Sequence, residues 1–224
     1  MPFVGCHEMD EGRYREAPPD RDLTVNVDSA TAMLIAYYTP QSGPGVFAPR
    51  GWHCLGRRGT ARNSLAVSPT PIDSAKFDLG FTGPAVEIEE WNGGTSGRFE
   101  VAILSSQLFP AMAKSFIDRV RSESVTPDSE FGRGPYINDS VSYPSPAVAE
   151  VITPGHTVGF GTEGDFVPTE APIRAVAVLD TSAELGTLQV FRVRLTRAMT
   201  HLEAALVLLN EACMAQVCAI PTSQ

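Results

Sequence analysis

The sequence predicts an α+β fold: a curved antiparallel sheet of about five to six strands with three to four helices packed on one face of it. Three observations carry that expectation. The segments "IRAVAVLD" and "TLQVFRVRL" are strand patterns joined by a short polar loop, which reads as an antiparallel hairpin. Apolar residues recur at helical spacing from Phe99 through Ile103, Leu104, Leu108, Met112, Phe116 and Ile117 to Val120. Strands and helices do not alternate regularly along the chain, which argues against a doubly wound parallel sheet.

The elements follow in order. Residues 1–22 are polar, charged and proline-containing and read as an irregular arm ahead of a single domain over 23–218, with 219–224 as a tail. "LTVNV" (23–27) alternates like a strand. Asp28 or Ser29 suits the cap of a helix reaching about Tyr38, with Ala30, Met33, Leu34 and Tyr37 on one face. Residues 39–62 are rich in Gly, Pro and Arg and read as one long loop. "SLAVSP" and "PAVEIEEW" are strand patterns, the second with Val86 and Ile88 on one face and a polar opposite face. "NGGT" is turn chemistry. Pro110 divides the helical stripe into two pieces or kinks it. Residues 122–146 read as loop, "AVAEVIT" as a strand, and "PGHTVGFGTEGDFVPTEAP" as a wide connection or, with its four glycines, His156, Glu163 and Asp165, as a rim or lid that binds together with the 48–62 loop. Thr200 with Glu203 has the spacing of a capping box opening a C-terminal helix, with Leu202, Ala205, Leu206, Leu209 and Cys213 on its buried face.

Composition bounds the function. A chain of 224 residues suits one domain with a real core. The net charge of −9 argues against nucleic-acid binding, which needs a basic face. No stretch approaches the roughly 18 apolar residues of a membrane span. The start "MPFVGCHEMDEG" has neither a charged n-region nor an apolar h-region, although Phe3-Val4-Gly5-Cys6 is similar to the end of a lipoprotein signal. The four cysteines form no CxxC pair. Cys6 and Cys54 lie in loop-like sequence, where a disulfide would staple the arm to the body. The alternatives are free thiols, or a zinc set of Cys6, His7, His53 and Cys54 whose adjacent members would each need a turn to converge.

One segment stands out. No carboxylate occurs between Asp28 and Asp73, yet Arg50, Arg57, Arg58 and Arg62 crowd that gap around Trp52, His53 and Cys54. Arginine suits bidentate recognition of carboxylate or phosphate, so these four with Trp52 form a candidate ligand-binding loop. They also suit pairing with the protein's own surplus of acids.

Nucleophilic chemistry has two candidates. Ser96 follows a Gly-rich turn before a helix, with His156 as base and Asp139 or Asp165 as orienter, although the G-x-S-x-G spacing is missing. Helix capping by Thr95 or Ser96 explains the same residues. Cys54 beside arginines would have a depressed pKa, but His53 next door is poorly placed to deprotonate it. Walker A, H-E-x-x-H, S-x-x-K and EF-hand patterns are absent, so no metal or cofactor is expected.

"FVGCHEMDEG", "GVFAPRGWHCLG" and "GGTSGRFEVA" together resemble an uncharacterised group of exported proteobacterial proteins with a G-W-H-C segment. His7-Glu8-Met9 departs from the group's proline-containing stretch. The resemblance implies an envelope location and a Cys6–Cys54 bridge, and supplies no activity. The element order is also similar, at the level of fold, to PsbP-like proteins. Together these readings predict a periplasmic or secreted binding module, cytoplasmic location being the alternative. Its partner would be a small anionic ligand or an envelope protein, and the chain would be monomeric or weakly self-associating. The second hypothesis is an esterase-like hydrolase using Ser96 or Cys54.

Overall fold

The computed structural model describes the chain apart from residues 11, 20, 23–24, 26, 124–126, 133, 181–185 and 216–224, with backbone only at 21, 22 and 76. The strand expected over 23–27, the loop of the late hairpin, Cys218 and the 219–224 tail fall largely or wholly outside the described residues.

The class is α+β, but the sheet is larger than the sequence suggests, and a second sheet lies beside it. The N-terminal residues supply strands β1 (Pro2–Gly5), β2 (Glu8–Asp10), β3 (Arg13–Arg15) and β4 (Arg21–Asp22). Helix α1 (Ser29–Leu34) is capped by Asp28, whose carboxylate accepts from the Thr31 N–H at 2.9 Å. It ends four residues earlier than periodicity predicts, because Ile35–Thr39 is strand β5. The expected long loop over 39–62 contains strands β6 (Val46–Pro49) and β7 (His53–Arg58), and β8 (Arg62–Ser68) follows. After α2 (Ser74–Leu79) and β9 (Ala85–Asn92) come α3 (Arg98–Leu108) and α4 (Lys114–Ser122), separated as Pro110 predicts. Strand β10 (Ser140–Ser145) lies in a stretch expected to be loop. It is followed by β11 (Val148–Thr153), β12 (Ile173–Asp180) and β13 (Thr187–Arg194). The chain reaches α5 (Glu203–Met214) through a 3₁₀ turn over Arg197–Leu202, so Thr200 caps nothing and its hydroxyl donates to Arg197 O instead.

The main sheet runs β10-β11-β12-β13-β9-β8-β7-β2-β3, antiparallel except for β2 beside β7. The small sheet runs β4-β1-β5-β6. Helices cover both faces of the main sheet rather than one. Its first face, with Leu65, Val67, Val86, Ile88, Val176, Phe191 and Val193, packs on the small sheet and on Leu206, Val207 and Met214 of α5. On the second face, Ala175, Ala177, Leu188 and Val190 pack under α3 and α4, while Leu55, Ala66 and Ala85 pack against Phe77 of α2. Nine strands covered on both faces need two apolar layers, which explains why single helices could not suffice.

Two polar devices tie these layers together. The disulfide Cys6–Cys54 joins the end of β1 to β7, with Cα atoms 5.5 Å apart. Asn210 of α5 seals the β6 edge: its Oδ1 accepts from Phe47 N–H at 2.8 Å and its Nδ2 donates to Phe47 O at 3.0 Å. Asn210→Ala leaves both buried main-chain groups unpaired and is expected to cost about 2–3 kcal/mol in urea denaturation. A loss under about 0.5 kcal/mol would show that the edge needs no cap.

Candidate functional site

Strand alternation places a buried charge cluster at the centre of the second face. On β9, Val86 and Ile88 point to the first face, so Glu87, Glu89 and Trp91 point to the second. The register with β13 sets Arg192 directly opposite Glu87, and the register with β8 sets Ser64 opposite Glu89 and Arg62 opposite Trp91. An acidic strand thus lies between two arginine-bearing strands, in the gap between the α3–α4 layer and α2.

The side chains of Glu87, Glu89 and Arg192 are at most 1% exposed. Arg192 Nη1 donates to Glu89 Oε2 and lies 3.4 Å from Glu87 Oε2, while Arg62 donates to the other oxygen of Glu89. Aromatic rings flank each guanidinium: Phe160 lies 5.5 Å from Arg192, and Trp91 lies 5.0 Å from Arg62. Burial pushes both glutamates toward protonation. At Glu89 the facing Arg192 and Arg62 outweigh it and hold the carboxyl below the ordinary range. At Glu87 burial and the neighbouring charges of Glu89 and Asp165 outweigh Arg192, so the carboxyl is held well above that range. Glu100, on α3, is also raised by burial and by Glu163 and Glu89.

The 154–170 loop roofs this cluster. Asp139 anchors its start, accepting from Phe160 N–H at 2.7 Å and from the Thr153 hydroxyl at 2.8 Å. Gly164 lies directly over the charges, where a Cβ would stand 2.5 Å from Arg192 Nη1 and 2.6 Å from Glu87 Oε2. Asp165 donates its N–H toward Glu87 Oε2 at 3.4 Å, and its carboxylate faces Arg57 Nη1 at 3.6 Å. Phe81 and this loop then exchange main-chain bonds, Phe81 N–H to Asp165 O at 2.6 Å and Val167 N–H to Phe81 O at 3.1 Å.

Beside the loop opens a cleft of ≈ 470 Å³ walled by residues 82–84, 169–171 and 194–197. Arg194, only 2% exposed, forms part of its wall. Its guanidinium donates to Gly83 O at 3.0 Å, to Val167 O at 2.8 Å and to Phe81 O. All three acceptors are main-chain carbonyls, and among the described residues no carboxylate pairs with it. Burial accordingly pushes Arg194 below its ordinary range, whereas the facing glutamates raise Arg192 despite its own burial. Arg197, exposed, stands at the rim with Glu170.

The residues singled out from sequence fall into separate places. Arg57 and Arg62 face inward to Asp165 and Glu89, so the loop's arginines partly serve the protein's own acids. Arg50 and Arg58 are exposed, Arg58 reaching the Ser42 hydroxyl at 3.5 Å. Trp52 is half-buried, its N–H donating to the Tyr38 hydroxyl at 3.1 Å. The sulfur of Cys54 is bonded to Cys6, and no cluster of metal-ligand type occurs among the described residues. His53 and His156 are exposed, on β7 and in the roof loop respectively. Ser96 is exposed in the turn before α3, where the first helical residue follows Gly97 with no side-chain cap. The histidine ring hydrogen bonds among the described residues are those of His7 to Arg15 O and His201 to Ala198 O, and neither reaches Ser96. Asp165 belongs to the roof.

Glu87, Glu89, Arg192, Arg194 and Arg197 were not legible as site residues, though a signal existed. In "VEIEE" and "VFRVR" the charges alternate with apolar residues, so each strand carries one sign of charge on one face. Two such strands of opposite sign, side by side, bury their charges together. No protein-family model matches this chain, nor does any curated protein or solved structure.

Proposed function

We propose that the protein is an exported binding module that takes a small carboxylate- or phosphate-bearing ligand in the cleft beside Arg194. The observation that carries this reading is a nearly buried guanidinium in a cleft wall, held by main-chain carbonyls and, among the described residues, paired with no carboxylate. A buried cation without a counter-charge is costly, and an entering anion would supply that charge. Arg197 at the rim adds a second guanidinium against the single carboxylate of Glu170, which leaves the cleft positive in a protein of net charge −9. The volume suits a small molecule. Of the two loops expected to bind, the 154–170 loop forms a wall, and the 48–62 segment braces it through Arg57 and Asp165. The Cys6–Cys54 disulfide supports an oxidising, exported location, as does the resemblance to exported proteobacterial proteins.

Calorimetric titration with citrate and with inorganic phosphate at low ionic strength tests the reading. The protein is expected to bind at least one of them. A charge-assisted hydrogen bond contributes about 1.5–3 kcal/mol, so Arg194→Met should weaken binding by about tenfold to a hundredfold. Arg197→Gln, an exposed change that should leave stability within about 0.5 kcal/mol, is expected to weaken it less. Binding of neither probe, or binding indifferent to both substitutions, would refute the site.

A further inference from the structure

We propose that Glu87 and Asp165 share one proton, and that this proton latches the 154–170 loop onto the sheet and so keeps the Arg194 cleft formed. The inference depends on the proposed anion site only in naming the cleft as what the latch shapes.

The geometry is that of two oxygens awaiting a hydrogen. Glu87 Oε1 and Asp165 Oδ2 are both buried, and neither has an N–H or O–H donor among the described residues. Arg57, at 3.6 Å from Asp165 Oδ2, is an ion-pair partner beyond hydrogen-bond length. The Asp165 N–H reaches Glu87 Oε2 at 3.4 Å, which sets the two carboxyl groups side by side beneath Gly164. Two carboxylates this close, away from water, cannot both ionise, whereas a carboxylic acid donating to a carboxylate satisfies both oxygens at once. The other oxygen of Glu87 is already occupied, by the Asp165 N–H and Arg192. Gly164 permits this approach because no side chain fits between the loop and the charges.

The surrounding groups come from every element packed on the pair. Strand β9 contributes Glu89, β13 Arg192, β8 Arg62 and β7 Arg57, while α3 brings Glu100, the loop itself Glu163, and α2 the Phe77 ring under Arg57. Arg62 pairs with Glu89 and Arg192 is shared between Glu89 and Glu87, so at Glu87 burial and the facing carboxylates outweigh the one guanidinium it shares. The latch connects to the cleft in two residues. Asp165 O and Val167 N–H bond Phe81, and Phe81 O and Val167 O in turn hold the Arg194 guanidinium. Lifting Asp165 therefore frees two of the three carbonyls that aim Arg194.

The sign follows from a carboxyl held protonated above its ordinary range. The proton's contribution is complete at acid pH and disappears as pH rises through the raised value, when hydroxide removes it and leaves facing carboxylates. Amide hydrogen exchange of the ligand-free protein, from about pH 5 to about pH 9 and corrected for intrinsic base catalysis, reads this directly. Protection of the Phe81, Asp165 and Val167 amides is expected to fall by up to about tenfold per pH unit between the ordinary carboxyl range and that raised value and to level off above it, with core amides such as Val190 unchanged. Glu87→Gln keeps a donor at every pH, so its loop protection should stay flat. Constant protection in the unmodified protein, parallel loss at Val190, or the same pH-dependent loss in Glu87→Gln would each overturn the latch. Should the glutamine variant not fold, the pH series on the unmodified protein still decides. The exchange is read without any anion, so loss of citrate binding in Arg194→Met and loss of the latch are separate outcomes.

Discussion

Arg192→Met is expected to destabilise the protein by about 3–5 kcal/mol, a large share of the stability of a single domain. Arg192 is the cation between Glu87 and Glu89 at the middle of nine strands, and its side chain is 1% exposed. Removing it leaves Glu89 with Arg62 as its remaining cation and Glu87 Oε2 with the Asp165 N–H as its remaining donor. Desolvation is what makes the loss large: the same pair on the surface would contribute under about 1 kcal/mol. Urea denaturation followed by tryptophan fluorescence should show the midpoint lowered with little change in slope. The double variant Arg192→Met with Glu89→Leu should recover much of the loss, because the orphaned charge is removed with its partner. A single-variant loss below about 1 kcal/mol would mean that water reaches the cluster and that the roof does not seal it.

Opening the Cys6–Cys54 disulfide should be the second large effect. The bridge closes a loop with a sequence separation of 48, for which constraint of the unfolded chain gives about 4 kcal/mol, and measured bridges typically give about 2–4. The local structure depends on it as well. Strand β2 lies parallel to β7 through only Glu8–Asp10, and β1 meets β5 parallel through Phe3–Gly5, pairings that join segments far apart in sequence. Cys6→Ala with Cys54→Ala is therefore expected to lower stability by about 2–4 kcal/mol and to raise exchange first at the N-terminal strands. Equal stability with and without reductant would show that the strands alone hold the arm.

What the sequence displayed was local. The β12–β13 hairpin, the strand "PAVEIEEW" and the Pro110 break between α3 and α4 follow from periodicity and turn chemistry, whereas the Cys6–Cys54 bridge was one of several readings of its loop-like setting and the one the family resemblance implied. Strands β1, β2, β6 and β7 were not legible, since each is three to six residues long and gains its stability from distant partners rather than from its own pattern. The same cause misplaced the arginines. Once Arg57 and Arg62 sit on strands β7 and β8, alternation turns both inward to Asp165 and Glu89, whereas a loop would leave them open to a ligand. Asp165 and the 154–170 loop were recognisable as a rim. That the loop covers buried glutamates was not, because its partner strand β9 is over sixty residues away in sequence and reads alone as half-exposed.

The central claim is that an anion enters beside Arg194, and amide chemical shifts during citrate titration of ¹⁵N-labelled protein test it most directly. Shifts confined to residues 82–84, 167–171 and 194–197, abolished by Arg194→Met, are the predicted result. Shifts centred on Arg50 and Arg58 of the 48–62 segment, with the Arg194 cleft silent, would contradict it.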